Sequence, residues 1–355
     1  IKPNRLMTFI WQLENFCHDA RLPSTTYATP FNYLIVPKPE QMLRASVGLA
    51  FRRARLQYIY SILRGKDLDT GLFSEERREQ QFEKLKIAQA HTLDIQNWHE
   101  FIKALKQAGY NNESFLSSNN NILYSYVFFL IGRIDYKVDL YELKKLIAKW
   151  FFMCSITGRY TGSPETAMEM DLAKFRSVET AEDFVVELNT IIDSQLTSDF
   201  WEVTLPMDLS TSSFRSPSLF AYYASLNIHH ALGLFSKLQV KELLESGFRA
   251  NKSALERHHL FPKAWLMRNG ITEQRDINQI ANFALVEWSD NIAISDKEPK
   301  VYLPIYEQRF SEEELRKMRF WHALPENWQE KKYKDFLLER RRLIAEVVKS
   351  AYQKL

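Results

Sequence analysis

Two histidines stand side by side, His258 and His259, at the edge of the apolar run Leu260, Phe261, Pro262. Asn282 opens the segment "NFALVEW", and Asn291 follows nine residues later in "SDNIAISDKEP". These residue types suit phosphodiester hydrolysis. A nucleophilic water must lose a proton near neutral pH, and an imidazole with an ordinary pKa of about 6.5 can accept it. Negative charge gathers on the phosphorus oxygens and on the leaving oxygen, and a divalent cation offsets it. Neutral His and Asn are weak ligands. A Mg²⁺ or Mn²⁺ held by them keeps several waters and leans on substrate phosphate oxygens. An amide can also fix the tautomer of a basic histidine. Lys297, close by, is positioned as a phosphate contact.

Such a set needs a rigid local frame. Short extended runs are predicted at "HHLF" (258–261) and "NFALVEW" (282–288), about 20 residues apart. Asn291 then starts a helix. The expectation is a β-hairpin followed by a helix, all inside about 40 residues.

Upstream the texture is helical. Apolar spacing predicts a helix over 38–64, with Arg44, Arg52, Arg53, Arg55 and Arg64 between the apolar positions. "GKDLDTG" breaks it, and "SEER" at 74 reads as a capping-box start for a charged helix to 90. Helices follow at 96–108, ended by Gly109, and at 121–131, 139–157 and 178–194, with a polar loop over 111–121. A Ser/Thr/Pro-rich stretch over 201–220 marks a boundary. Helix is expected again over 217–247, and a long terminal helix over 334–355. The fold class expected is therefore mainly α. A helical domain over 1–205 leads into a small α+β nuclease-like unit with flanking helices over 206–355.

The chain has 355 residues and a formal net charge of +3, with the excess after residue 250. That tilt is a mild pointer to an anionic partner for the C-terminal part. Two cysteines, Cys17 and Cys154, exclude a disulfide framework and a Cys-rich zinc knuckle. Low cysteine use suits a reducing, cytoplasmic setting. The most apolar stretch, "ILYSYVFFLIG" (122–132), is too short to cross a bilayer and reads as a buried helix.

Taken together, "HHLFPKAWL", "INQIANFALVEWSDNIAISDKEPKVYL", "LPENW" and "FLLERRRLIAEVV" resemble the HNH (ββα-metal) nucleases, in the branch at the C-terminus of GmrSD-type, modification-dependent restriction endonucleases. Upstream, "LIAKWFFMCSITGRYTGSPETAMEMDL" and "SPSLFAYYASLNIHHALGLFS" extend the likeness more weakly. The resemblance implies a metal-dependent endonuclease acting on double-stranded, modified DNA. It implies His259 as general base, His258 and Asn291 as ligands of Mg²⁺ or Mn²⁺, and Asn282 as the residue that orients the base. It also implies a nucleotide-hydrolysing portion. The Asp-Gly-Gln type motif of that portion does not occur in this chain, and the expected place for it is N-terminal to residue 1.

Plainer readings stand beside these. The His258-His259 pair could cap a buried strand, Asn282 could be a turn residue and Asn291 a helix N-cap. Lys297 could be a solvated lysine. The arginines of 44–64 could line a solvated helix face rather than a DNA backbone. "RYTGSPE" (159–165) could cradle a phosphate but suits a helix-to-helix turn. His229-His230 repeats the dipeptide in a helical, apolar context without a downstream asparagine pair, and reads as structural. A different class of function is a non-catalytic DNA-binding or scaffold module of a larger complex.

Overall fold

The computed structural model describes residues 3–20, 34–67, 70–111, 116, 118–241 and 255–355. The chain packs as two compact units, one of residues 1–107 with 118–193 and one of 108–117 with 194–355. The second unit thus begins at Ser194, ahead of the expected division at 205/206, and takes the stretch 108–117 from the middle of the helical half.

The first unit is helical. Its elements are α1 (Pro3–Asp19), α2 (Pro39–Phe51), α3 (Leu56–Leu63), α4 (Glu75–Thr92), α5 (Ile95–Gln107), α6 (Asn119–Leu130), α7 (Leu140–Thr157), α8 (Pro164–Lys174) and α9 (Ala181–Gln195). Its core is aromatic. Trp98 of α5 stacks on Tyr126 of α6 at 3.7 Å between centroids, and Phe101, Phe128, Phe129 and Trp150 are fully buried around them. Helix α2 comes so close to α6 that a Cβ at Gly48 would lie 2.8 Å from Val127 Cγ1.

The expected single helix over 38–64 is two helices. Arg52 takes a left-handed conformation (φ 53°) and its N–H returns to the Gly48 carbonyl, which ends α2. The Glu169 carboxylate then accepts the backbone N–H groups of Ala54 and Arg55 at 2.7 and 3.3 Å and pairs with Arg53 at 2.9 Å. A distant carboxylate thus supplies the partners that a continuous helix would have provided from its own backbone. Arg44 pairs with Glu165, Arg52 with Asp135, and Arg55 bonds Thr166, so these arginines serve the unit's own packing. In "RYTGSPE", Arg159 and the Tyr160 hydroxyl both turn inward onto buried Asp171. At the start of α4, Ser74 accepts from the Arg77 N–H, but the third helical position holds Arg77 rather than Glu, so the expected capping box is only half made.

The second unit contains α10 (Leu205–Asp208), α11 (Pro217–Ile228), β1 (Leu255–His259), α12 (Lys263–Arg268), α13 (Gln274–Ile277), β2 (Phe283–Glu287), α14 (Trp288–Ile294), α15 (Pro299–Glu307), α16 (Glu312–Trp321) and α17 (Tyr333–Tyr352). Gly109 (φ 84°) sits against α11, and a Cβ there would meet the Ala224 carbonyl oxygen at 2.2 Å. Only glycine fits that contact. The expected helix over 217–247 ends at Ile228, and residues 232–239 form a bridged turn instead. Positions 242–247 of that expected helix, and 112–115 and 117 of the polar loop, lie outside the described residues.

The described strands form one small sheet, β1 antiparallel to β2, in register His258↔Ala284 and His259↔Phe283. β2 falls within its predicted run, whereas β1 lies earlier than expected, sharing only His258 and His259 with the run 258–261, because Leu260 to Pro262 turn away toward the start of α12. On its other side β2 meets Leu234, whose N–H donates to the Leu285 carbonyl at 2.8 Å. With both edges and both faces covered, β2 is apolar and buried from Phe283 to Val286 rather than alternating. The architecture is mainly helical with a two-stranded antiparallel sheet. No helix among the described residues is long and apolar enough to cross a membrane.

Candidate functional site

Strand β1 delivers the two histidines. Successive side chains of a strand point to opposite faces, so His258 is buried while Arg257 is exposed and His259 half-buried. Helix α14 follows β2 without a loop and packs on both strands, which brings Asn291 to the His258 face.

His258 Nδ1 lies 2.9 Å from Asn291 Oδ1. An amide oxygen only accepts, so Nδ1 carries the proton in this contact. His258 Nε2 is buried and has no hydrogen-bond partner among the described residues. Burial drives the His258 pKa down to about 4, against the Asn291 contact, which favours the charged form. The ring is therefore neutral at physiological pH, with its edge at right angles to the Tyr302 ring.

His259 faces the other way. Its Nε2 lies 3.0 Å from Asn278 Oδ1, so Nε2 donates and Nδ1 keeps the lone pair. Burial lowers its pKa, the Asn278 contact opposes that, and the Lys263 charge adds to the lowering. The ring leans on Phe283, its cross-strand partner, with centroids 4.2 Å apart.

Asn282 has a different task from the expected one. It is fully buried and does not bond His259. Its Oδ1 accepts the Phe261 N–H at 2.9 Å, and its Nδ2 donates to the carbonyls of Phe261 and Ile277, both at 3.1 Å. The amide rivets the turn after His259 to the segment entering β2. Asn278, four residues earlier in "INQIAN", is the residue that holds the imidazole, and sequence reasoning missed it. Its only sequence signal is that it follows one helical turn and is uncharged. Lys297 is exposed and donates to the Ala293 carbonyl at 2.7 Å, at the C-terminal end of α14. It serves there as a helix C-cap, the solvated alternative.

The turn after β1 is gripped from several sides. Tyr302 donates to the Leu260 carbonyl at 2.8 Å. Phe261 sits in a box of Trp265, Trp328, Tyr333 and Phe336. Arg340, fully buried on α17, donates to the Ala281 carbonyl at 2.8 Å and twice to the His322 carbonyl. It forms no ion pair with a carboxylate among the described residues. A buried guanidinium held by carbonyls rather than a carboxylate is costly, and here it secures the residue just before Asn282.

Among the described residues no three or more His, Cys, Asp and Glu side chains gather to hold a metal. A divalent ion would therefore rest on one imidazole and one amide. His258 Nδ1 and Asn291 Oδ1 are 2.9 Å apart as a hydrogen bond, so an ion held by both would have to replace that bond. The low His258 pKa keeps the ring free of a second proton. Loading Nδ1 would move the single proton to Nε2, which has no partner among the described residues.

No protein-family model matches this chain, and no curated protein and no solved structure matches it.

Proposed function

We propose that residues 255–294 form the catalytic hairpin and helix of an HNH-like, metal-dependent nuclease, and that the chain is the cleavage portion of a modification-dependent restriction enzyme acting on double-stranded DNA. One observation carries this: consecutive histidines on β1 face opposite ways, each held by its own asparagine and each kept neutral by burial.

In-line hydrolysis needs attack and departure on opposite sides of phosphorus. His259, donating from Nε2 to Asn278, presents the Nδ1 lone pair to a water. On the other face of the strand His258 and Asn291 form the ligand pair. When bound there, Mg²⁺ or Mn²⁺ would offset charge on the phosphorane and the leaving 3′ oxygen. Asn282, Tyr302 and Arg340 hold the backbone so that neither ring must reorganise during the step. The experiment is nicking of supercoiled plasmid by the 355-residue chain with Mg²⁺ or Mn²⁺, with and without EDTA. Metal-dependent nicking that His259→Ala abolishes, with an unchanged circular dichroism spectrum, is expected.

A non-catalytic DNA-binding or scaffold module is the second reading. It is favoured by the absence of any carboxylate in the ligand pair, and it predicts DNA binding without nicking under any divalent ion.

A further inference from the structure

We propose that Arg257 and Lys263 form a backbone-phosphate clamp beside His259, so that a polynucleotide runs along the Arg257–His259 face of β1; the direction of the clamp toward a scissile bond rests on the nuclease reading above. Arg257 and His259 are two residues apart on a strand, hence on the same face and about 6.7 Å apart along it. That is of the order of one nucleotide step. A phosphate at Arg257 would thus neighbour the phosphate at His259.

Three observations support the assignment. First, Arg257 and Lys263 are both exposed and form no salt bridge or hydrogen bond to a side chain among the described residues. Other basic residues of this unit are committed: Arg268 to Asp296, Arg309 to Asp290, Arg340 to backbone carbonyls and Arg341 to the Gln279 side-chain amide oxygen. Second, the Arg257 guanidinium is held in place without being neutralised. It lies 3.9 Å over the Phe214 ring, Phe214 packs edge-on against Phe283 at 5.1 Å, and Phe283 packs on His259. A stacked arginine loses less freedom on binding and keeps its edge donors for a phosphate. Third, Lys263 opens α12 directly after Pro262, four residues beyond His259, where the gripped turn fixes its backbone. The clamp contacts phosphate rather than base edges, so it fixes position and carries no sequence information.

The test is binding of a fluorescein-labelled 30-bp duplex, without divalent metal, by anisotropy over a series of salt concentrations. Arg257→Gln and Lys263→Gln are each expected to weaken binding about tenfold at low salt. Each should also reduce the slope of log K against log salt by about 0.9. Phe214→Leu should leave the slope intact and weaken binding a few-fold, because charge remains while preorganisation is lost. Lys317→Gln, which removes the same charge from a lysine paired with Glu313, should leave both unchanged. Arg257→Lys keeps the charge, and should restore the slope but not the full affinity; it serves also if Arg257→Gln fails to fold. Slopes unchanged in both Gln variants, or changed equally by Lys317→Gln, overturn the clamp. The two proposals separate cleanly. A wild type that nicks DNA while the Gln variants bind and nick as well as it does overturns the clamp alone. Loss of binding in the Gln variants of a wild type that never nicks supports the clamp and overturns the hydrolase.

Discussion

The chain uses the dipeptide His-His twice, and the two copies have opposite fates. His229 closes α11 and His230 follows it in a left-handed conformation (φ 52°). Both nitrogens of His229 are engaged, Nε2 with the Val347 carbonyl at 3.2 Å and Nδ1 with Lys354 Nζ at 2.8 Å. Its ring also packs edge-on against Phe320. The imidazole is thus a bolt between α11 and α17. His258 and His259 sit on a strand, where alternation sends them to opposite faces and each meets an asparagine rather than a carbonyl or a lysine. In His258 one nitrogen is left buried and without a partner among the described residues. The contrast teaches that two adjacent imidazoles become a candidate site only when the backbone separates them and leaves lone pairs unspent.

The sharpest way to break this comparison is to truncate one ring from each copy. His259→Ala should lower plasmid nicking by roughly 10³-fold, the scale of a lost general base. His230→Ala should change it less than about twofold. Equal losses in single-turnover nicking, with both spectra native, would erase the distinction between the pairs.

Acid should reach His258, and the buried His322 outside either pair, through stability. His258 and His322 are both buried with pKa values near 4 in the folded chain, against about 6.5 unfolded. A depressed folded pKa means that the unfolded chain binds the proton first. The stability from each ring is fully present above about pH 6.5 and is lost as pH falls toward 4, on the order of 3 kcal/mol per ring. Urea midpoints at pH 7.5 and 4.5 check it: His322→Gln should flatten the decline. An equally steep decline in that variant would count against the burial account.

The two asparagines separate scaffold from chemistry. Asn282→Ala removes three buried hydrogen bonds and should destabilise by about 2–3 kcal/mol, read as a lowered urea midpoint. Asn278→Ala removes one half-buried contact, and should cost under about 1 kcal/mol while lowering turnover, because the His259 tautomer is released. The reverse pattern would return Asn282 to the role of orienting the base.

A more modest kinetic effect than at His259 is expected at the ligand pair. His258→Ala and Asn291→Ala should each raise the Mg²⁺ or Mn²⁺ concentration for half-maximal nicking by about tenfold, since most of the ion's ligands would be water and phosphate. Superimposable metal titrations of both variants and wild type would remove the pair from the site.

Much of the helical scaffold is legible from local chemistry. Asp139 and Gly158 bracket α7 as N-cap and left-handed C-cap, and Gly109 follows α5. Apolar periodicity marks the faces that bury, and those signals lie within a few residues of what they control. The two strands and the helix after them are legible for the same reason, although that helix starts at Trp288, so Asn291 lies inside it and neither starts nor caps it. Tertiary structure decided the rest. The break at Arg52 depends on Glu169, more than a hundred residues away, taking over backbone donors. Which asparagine holds His259 depends on where the chain between β1 and β2 closes: Asn278 and Asn282 are chemically identical, and only the turn at Phe261 aims one at an imidazole and the other at the backbone. Lys297 and Arg257 differ likewise in what lies within reach, a helix-end carbonyl for one and the ring of Phe214 for the other. Residue type sets what a side chain can do; the distances that folding imposes between remote segments select which of those capacities is used.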